Sequence, residues 1–280
     1  MKVLTPIKAI RAYCIECSGG MTKEVKLKQQ MKRILKLSTM AALIALMVFS
    51  IGKLTGYFSH SIENQHNIKE LVQEDSKAVN YKKLKEQNPD IVGWISIPGT
   101  KIDYPIMWSP DNPEKYLRTD FDGNYALSGL PFAAADCRIS SSPDEPECTN
   151  TLIYGHHMQD GTMFARLTDY EKQEFYDKHR VIKYDRIYAD GSYKEYEYEV
   201  IGAFKTEVNT GNIHEFRYYD YSDISSKKVY DAYLTKLAER NLIKAENIEK
   251  NQSNLLTLST CSYHVAGKNG RFVVVAIEIQ

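Results

Sequence analysis

Leu255-Leu-Thr-Leu-Ser-Thr-Cys261 is followed by a polar stretch, Ser262–Gly270, then by Arg271 and Phe272-Val-Val-Val-Ala-Ile-Glu-Ile279. Two apolar runs of strand length on either side of a polar connection read as a pair of buried strands. The same signature recurs towards the N-terminus. Ile91–Ile97 and Lys101–Met107 flank Pro98-Gly99, and Val181–Ala189 and Tyr193–Lys205 flank Asp190-Gly191, a hairpin turn pair. Leu130–Ala135 and Thr151–Tyr154 are shorter strand candidates. The period changes to a helical one over residues 60–87 and over Ser225–Ala245, where Val229, Tyr233, Leu237 and Leu242 recur among charges. Shorter helical pieces are expected at Glu114–Leu117, Met163–Leu167 and Tyr170–His179. About eight strands with few helices predict a mainly β fold, a closed β-barrel or a sandwich.

Composition bounds the function. The 280 residues carry 36 Lys+Arg and 36 Asp+Glu, so the formal charge is zero, which argues against a general nucleic-acid binder. A hydrophobic content of 43% excludes wholesale disorder. Tyr outnumbers Phe by 20 to 9, which suits β-structure with amphipathic surfaces. Five Cys do not make a disulfide scaffold.

The zero average hides an asymmetry. Residues 1–36 hold nine basic and two acidic side chains, and the uncharged run Leu37–Gly52 follows. With Lys53 snorkelling, residues 37–58 are long enough for a hydrocarbon core of about 30 Å. A cleaved signal peptide fits less well, since Gly52-Lys53-Leu54 is a poor cleavage site. A buried core helix is rarely apolar all round behind a basic run. The predicted organisation is a basic cytoplasmic tail (1–36), a transmembrane anchor (37–58), a helical stalk (59–87) and a catalytic β-barrel (88–280). The positive flank keeps the N-terminus in the cytoplasm and places the barrel outside the cell.

Cys261 ends its apolar run, next to a polar loop. Pairing of the flanking strands brings Arg271 beside it, where a guanidinium lowers a thiol pKa and donates to a developing oxyanion. His156 follows the strand Thr151–Tyr154 through Gly155, also at a strand end. An imidazole there acts as general base and then as acid toward a leaving amine. The bland alternative is a packing Cys and a surface His. Metal is the competing chemistry, through Cys261-x-x-His264 with His156 or His157, but neighbouring His side chains on an extended segment point opposite ways. The reading is therefore no metal and no cofactor. Cys14-x-x-Cys17 is half a zinc site without a second half, and is read as part of an unstructured tail. Cys137 and Cys148, eleven residues apart in a polar loop, are either a disulfide or two free thiols; both readings stand.

At these residues the chain resembles a class B sortase, a membrane-anchored cysteine transpeptidase of Gram-positive bacteria. Thr257-Leu-Ser-Thr-Cys261 is similar to the family's TLxTC signature, with Arg271 ten residues on. Tyr154-Gly-His-His-Met158 with Asp160-Gly-Thr-Met-Phe164 is similar to its histidine segment, and Ile91–Ile97 with Ile102–Ile106 to its entry strands. The resemblance covers roughly residues 70–280. It implies an eight-stranded sortase-type barrel with an N-terminal helical segment and one long helix before the cysteine strand. It also implies cleavage of a C-terminal sorting motif of surface proteins after Thr, with Cys261 as nucleophile and thioester carrier. His156 becomes the acid/base and Arg271 the oxyanion or positioning residue. An amine of a peptidoglycan precursor or crossbridge resolves the thioester. The motif is expected to be of the NP-x-T-[NG] or SP-x-T-G kind. By position, Leu117, Tyr154, Ile213, Ser259 and Thr260 resemble substrate-groove residues. The loop Asp136–Asn150 is longer than the resemblance suggests, and Ser262 stands where some members carry an acid. A pilin-polymerising sortase is the alternative within enzymes; it usually carries a lid loop and often a C-terminal membrane segment, neither of which is evident. A silent module binding cell-wall peptides is the alternative outside enzymes.

Overall fold

The structure, a computed structural model, describes residues 7–71, 79–211, 215–245, 252–265, 267 and 269–279, with side chains from Lys23 onward except at positions 24 and 60. The chain falls into two compact units, Met1–Tyr57 and Phe58–Gln280. Helix α1, Ile7–Glu70, begins in the first unit and ends in the second. The basic tail, expected to be unstructured, is thus helical from Ile7. Among the described residues, one helical segment, Val25–Glu70, is long and apolar enough to cross a membrane by length and composition. Its apolar side chains, Leu43, Met47 and Phe49 among them, are exposed within the protein.

In the second unit, eight strands close into a barrel. They are β1 (Ile91–Ser96), β2 (Asp103–Met107), β3 (Phe132–Ala133), β4 (Asn150–Tyr154), β5 (Val181–Ile187), β6 (Tyr193–Glu207), β7 (Leu255–Cys261) and β8 (Gly270–Glu278). Their order around the barrel is β1-β2-β3-β4-β7-β8-β6-β5, with β5 returning to β1. The pairs β2–β3 and β4–β7 are parallel and the rest antiparallel.

The run around Cys261 is apolar because both faces of β7 are covered. Leu255, Leu256, Thr257, Leu258, Ser259 and Thr260 are all buried. After α2 (Tyr81–Gln87) and the short α3 (Gln173–Lys178) comes helix α4, Lys227–Ala238, which lies over the outside of this part of the sheet and presents Tyr230, Tyr233 and Leu237. Tyr233 Oη shares a hydrogen bond with Thr257 Oγ1 (3.2 Å). Leu237 presses on β6 where a bulge shifts the register at Gly202. A Cβ on Gly202 would lie 2.5 Å from Leu237 Cδ1, so the helix docks only over glycine. Phe204, Phe216, Tyr218, Tyr221 and Tyr233 continue this layer as ring contacts. Tyr218 and Tyr233 bury their rings here while their hydroxyls bond to Ser259 and Thr257.

Two helices differ from expectation. The residue 60–87 helix is split into the end of α1 and α2, Tyr81–Gln87, which starts afresh where Asn80 Oδ1 accepts Lys83 N (3.0 Å). The Ser225–Ala245 helix stops at Ala238. There Asn241 turns to the sheet, accepting from Ala203 N (3.0 Å) and donating to Ile201 O (3.0 Å), and Leu242 N donates to Ala203 O (2.8 Å). Sheet partners replace the next helical turn, and Leu242 leaves the apolar stripe for the surface.

Candidate active site

The site lies where β4, β7 and β8 end together. Cys261 is the last residue of β7, half-buried, and its ladder partner is Arg271 of β8. One step beyond, Ser262 N donates to Gly270 O (3.0 Å). Hydrogen-bonded and non-hydrogen-bonded pairs alternate along an antiparallel ladder, so Cys261 and Arg271 occupy a non-hydrogen-bonded pair. Side chains of such a pair share a face and approach most closely, at about 4.5–5.5 Å between Cβ atoms. Arg271 Nη1 also donates to Gly270 O (2.9 Å), which steadies the guanidinium at the rim.

The parallel pairing of β4 with β7 brings in the histidines. Tyr154 is the ladder partner of Ser259; past it, Gly155 N donates to Ser259 O (3.0 Å) and Thr260 Oγ1 donates to Gly155 O (2.8 Å). The next residue on each chain is His156 and Cys261. Gly155 is required by a close approach: a Cβ would lie 2.5 Å from Phe164 Cδ2. Phe164 N donates to His156 O (2.9 Å) and His157 bridges Met163, so residues 156–164 double back as a tight loop.

The two imidazoles are engaged differently. His156 Nε2 lies 2.8 Å from Leu117 O. A carbonyl only accepts, so Nε2 carries the proton and neutral His156 keeps its lone pair on Nδ1. Burial, together with the nearby Arg118, holds His156 below the usual imidazole range, against the opposing pull of the Leu117 carbonyl. The neutral, proton-accepting form is therefore favoured at pH 7. His157 Nδ1 donates to the backbone oxygen of Cys261 itself (3.0 Å), and its ring meets Tyr263 edge-on at 5.4 Å. The sequence reading gave His157 no part beyond a weighed metal site; a second His beside the first was its only signal.

The expected groove residues are placed unevenly. Leu117 is half-buried and offers its carbonyl to His156. Tyr154 is half-buried at the end of β4, with its ring 5.8 Å from Phe132, and burial raises its phenol pKa. Ser259 and Thr260 are buried and their hydroxyls bond within the protein, Ser259 to Tyr218 Oη (2.7 Å) and Thr260 to Gly155 O. Ile213 lies outside the described residues. Tyr218 was not anticipated. It is fully buried behind Ser259, and burial pushes its phenol up to about 12 even though the Ser259 hydroxyl and Arg271 pull it down. Loop residues that pack only through tertiary contact leave no periodic signal. His264, considered as a metal ligand, pairs its Nδ1 with Ser262 Oγ (2.9 Å). Among the described residues no group of three or more His, Cys, Asp or Glu is arranged to hold a metal ion.

A half-buried thiol opposite a guanidinium, with a neutral imidazole on the adjoining strand end, is an arrangement suited to acyl transfer through sulfur. Comparison with known proteins agrees. A family model described as "Sortase domain" matches residues 95–279. The chain is 28% identical over 255 residues to sortase B of Staphylococcus aureus, covering 88% of this chain and 97% of that protein. The S. aureus sortase B–substrate complex superposes with a TM-score of 0.60 at 28% identity, over 81% of this chain and 96% of that one. A sortase B complexed with triglycine superposes with a TM-score of 0.58 at 28% identity, over 81% of this chain and 97% of that one.

Proposed function

The chain belongs to the sortase family of cysteine transpeptidases, with sortase B among its relatives, and on that premise we propose that Cys261, His156 and Arg271 carry out the reaction. Cys261 Sγ attacks the carbonyl carbon of the Thr in a C-terminal sorting motif. His156 takes the thiol proton and passes it to the departing amine. Arg271 stabilises the oxyanion that forms between the two events. The resulting thioester is opened by an amine of a peptidoglycan precursor or crossbridge, which leaves the surface protein joined to the wall and the thiol restored. The observation that carries this reading is the ladder pair Cys261–Arg271 with the Gly155–Ser259 and Thr260–Gly155 bonds beside it, which put a histidine at the same rim.

Substrate and nucleophile follow by likeness. A relative has been solved with its substrate and another with triglycine, an amine-bearing peptide. That supports a sorting motif as acyl donor and a cell-wall amine as acceptor; the motif type, NP-x-T-[NG] or SP-x-T-G, rests on the sequence resemblance alone. The apolar stretch 37–58 serves as a single-pass anchor, residues 1–36 stay in the cytoplasm, 59–87 form the stalk region, and 88–280 act outside the membrane. The basic flank of the apolar run supports that orientation.

The test uses the full chain in detergent micelles with a fluorogenic peptide of each motif type, with and without triglycine. Wild type is expected to release the fragment after Thr and, with triglycine, to yield the ligated product. Cys261→Ala is expected to abolish both; full turnover by that variant would overturn the assignment. His156→Ala is expected to lose about 10²–10⁴-fold in kcat, the range for a positioned acid/base.

A further inference from the structure

The long loop between β3 and β4 has no part in the reaction above, and it carries two cysteines. Cys137 and Cys148 are both buried and both present as thiols. They stand at the base of the loop, where Cys148 N donates to Arg138 O (3.0 Å). The Cys137 thiol donates to Asn150 O (3.7 Å). Cys137 Sγ also accepts Leu152 N (3.3 Å), and Cys148 Sγ lies 3.6 Å from Thr151 Oγ1, so both sulfurs are held against the start of β4.

The loop they bound spans a barrel mouth. Glu147 reaches to Arg186 of β5 in an ion pair, and Ala189 N donates to Ser141 O (2.9 Å). In the strand order, β4 and β5 are four strands apart in both directions, so a chain bonded to both crosses the opening. This is the end remote from Cys261: Asn150 pairs with Leu255 at one end of β7, and Tyr154 with Ser259 near the other. Arg186 is only 2% exposed, and its Nε and Nη1 have no hydrogen-bond partner. This buried cation, ion-paired to the residue before Cys148, has donors to spare; the neighbouring Cys137 thiol, Thr151 and Arg186 together lower the Cys148 thiol pKa against the opposing effect of burial.

We infer that Cys137 and Cys148 are a disulfide-forming pair that fastens the base of the 136–149 loop across the barrel end opposite Cys261. The oxidant is an external disulfide. The Cys148 thiolate attacks one of its sulfurs, the S–S bond breaks and one thiolate leaves. Cys137, giving up its proton, then attacks Cys148 Sγ in the mixed disulfide and expels the second thiolate. Two protein thiols are oxidised, one small disulfide is reduced to two thiols, and the two protons given up by the protein pass to the departing thiolates. The bond's presence in cells rests on the extracytoplasmic placement proposed above; its chemistry does not.

Purified full chain in detergent is incubated with glutathione disulfide, alkylated with N-ethylmaleimide under denaturing conditions and mapped by mass spectrometry before and after reduction. The expected result is one 137–148 linked peptide, two fewer alkylated thiols, and a melting temperature about 5–10 °C above that of the reduced protein. Cys137→Ser/Cys148→Ser is expected to lose that difference between oxidised and reduced samples. Cysteines 137 and 148 that both stay reduced, or that both end as glutathione adducts, would overturn the inference, and so would a linked form that melts no higher. In cells, alkylation before lysis is expected to find the pair linked. A reduced pair on a domain that external protease can reach overturns the inference, whereas a linked pair on a domain the protease cannot reach supports it and overturns the placement instead.

Discussion

His156 Nε2 and the Leu117 carbonyl oxygen, 2.8 Å apart, tie the loop that follows β4 to the short helical turn Lys115–Leu117 before β3. The bond fixes one tautomer and directs the His156 lone pair to Nδ1. Nε2 stays engaged by main chain, so on the role proposed for His156 the nitrogen that takes the Cys261 proton is Nδ1. Catalytic hydrogen bonds are often long or unmade before substrate binds and tighten in the bound complex.

The titration of His156 has a definite sign. Burial places its folded pKa below the ordinary 6.5, so the unfolded chain takes up the proton first as pH falls. Stability from this group is fully present above pH 6.5 and is lost as pH drops from there through the folded value. Histidine NMR of the full chain is expected to show the His156 imidazole titrating below 6.5. Denaturant unfolding is expected to show a stability slope in that window which His156→Gln flattens; an unchanged slope would assign it to other groups.

Arg271→Lys tests the guanidinium rather than the charge. A lysine keeps the cation but not the planar fork that can reach both Gly270 O and an oxyanion. The expected loss is about 10²-fold in kcat with KM little changed, the scale on which an oxyanion donor is removed. Steady-state kinetics on the sorting peptide reads the split directly. Turnover like wild type would take Arg271 out of the reaction.

His157 is expected to behave as a support. Its bond to Cys261 O is an ordinary neutral one, with a net value of about 0.5–1.5 kcal/mol. His157→Ala is therefore expected to lower kcat/KM by roughly 2–12-fold. A loss as large as that of His156→Ala would mean the two imidazoles have exchanged roles.

Asn241→Ala addresses the fold. Its amide satisfies Ala203 N and Ile201 O at the edge of the β6 bulge, where the chain leaves α4. Truncation strands buried main-chain groups, and the expected cost is about 1–3 kcal/mol in urea unfolding, with the slope unchanged. A cost near zero would show that water replaces the amide.

Asn241 also marks where sequence reading ran out. The Ser225–Ala245 pattern read as one helix because Val229, Tyr233, Leu237 and Leu242 recur among charges, yet a side-chain amide bonded to a distant strand ends the helix earlier. The strands were legible as apolar or alternating runs bounded by turn residues, and Asp190 closes the β5–β6 hairpin by accepting Ser192 N (2.8 Å). The Cys261–Arg271 register was legible because both residues flank a single hairpin. Nothing local announces that β4 pairs in parallel with β7, so which strand end receives His156 came only from family likeness. Tyr218 and the His157–Cys261 bond depend on loops whose course is set by packing, and neither follows a period.

The parallel joining of β4 to β7 also governs when reactivity begins. The Thr260–Gly155 bond links positions 105 residues apart in the chain, with β5 and β6 between them in sequence. Such distant contacts come late in folding. On the roles proposed for Cys261 and His156, an incompletely folded polypeptide thus carries the sulfur without its imidazole, and the joining of β4 to β7 doubles as the safety catch on the enzyme.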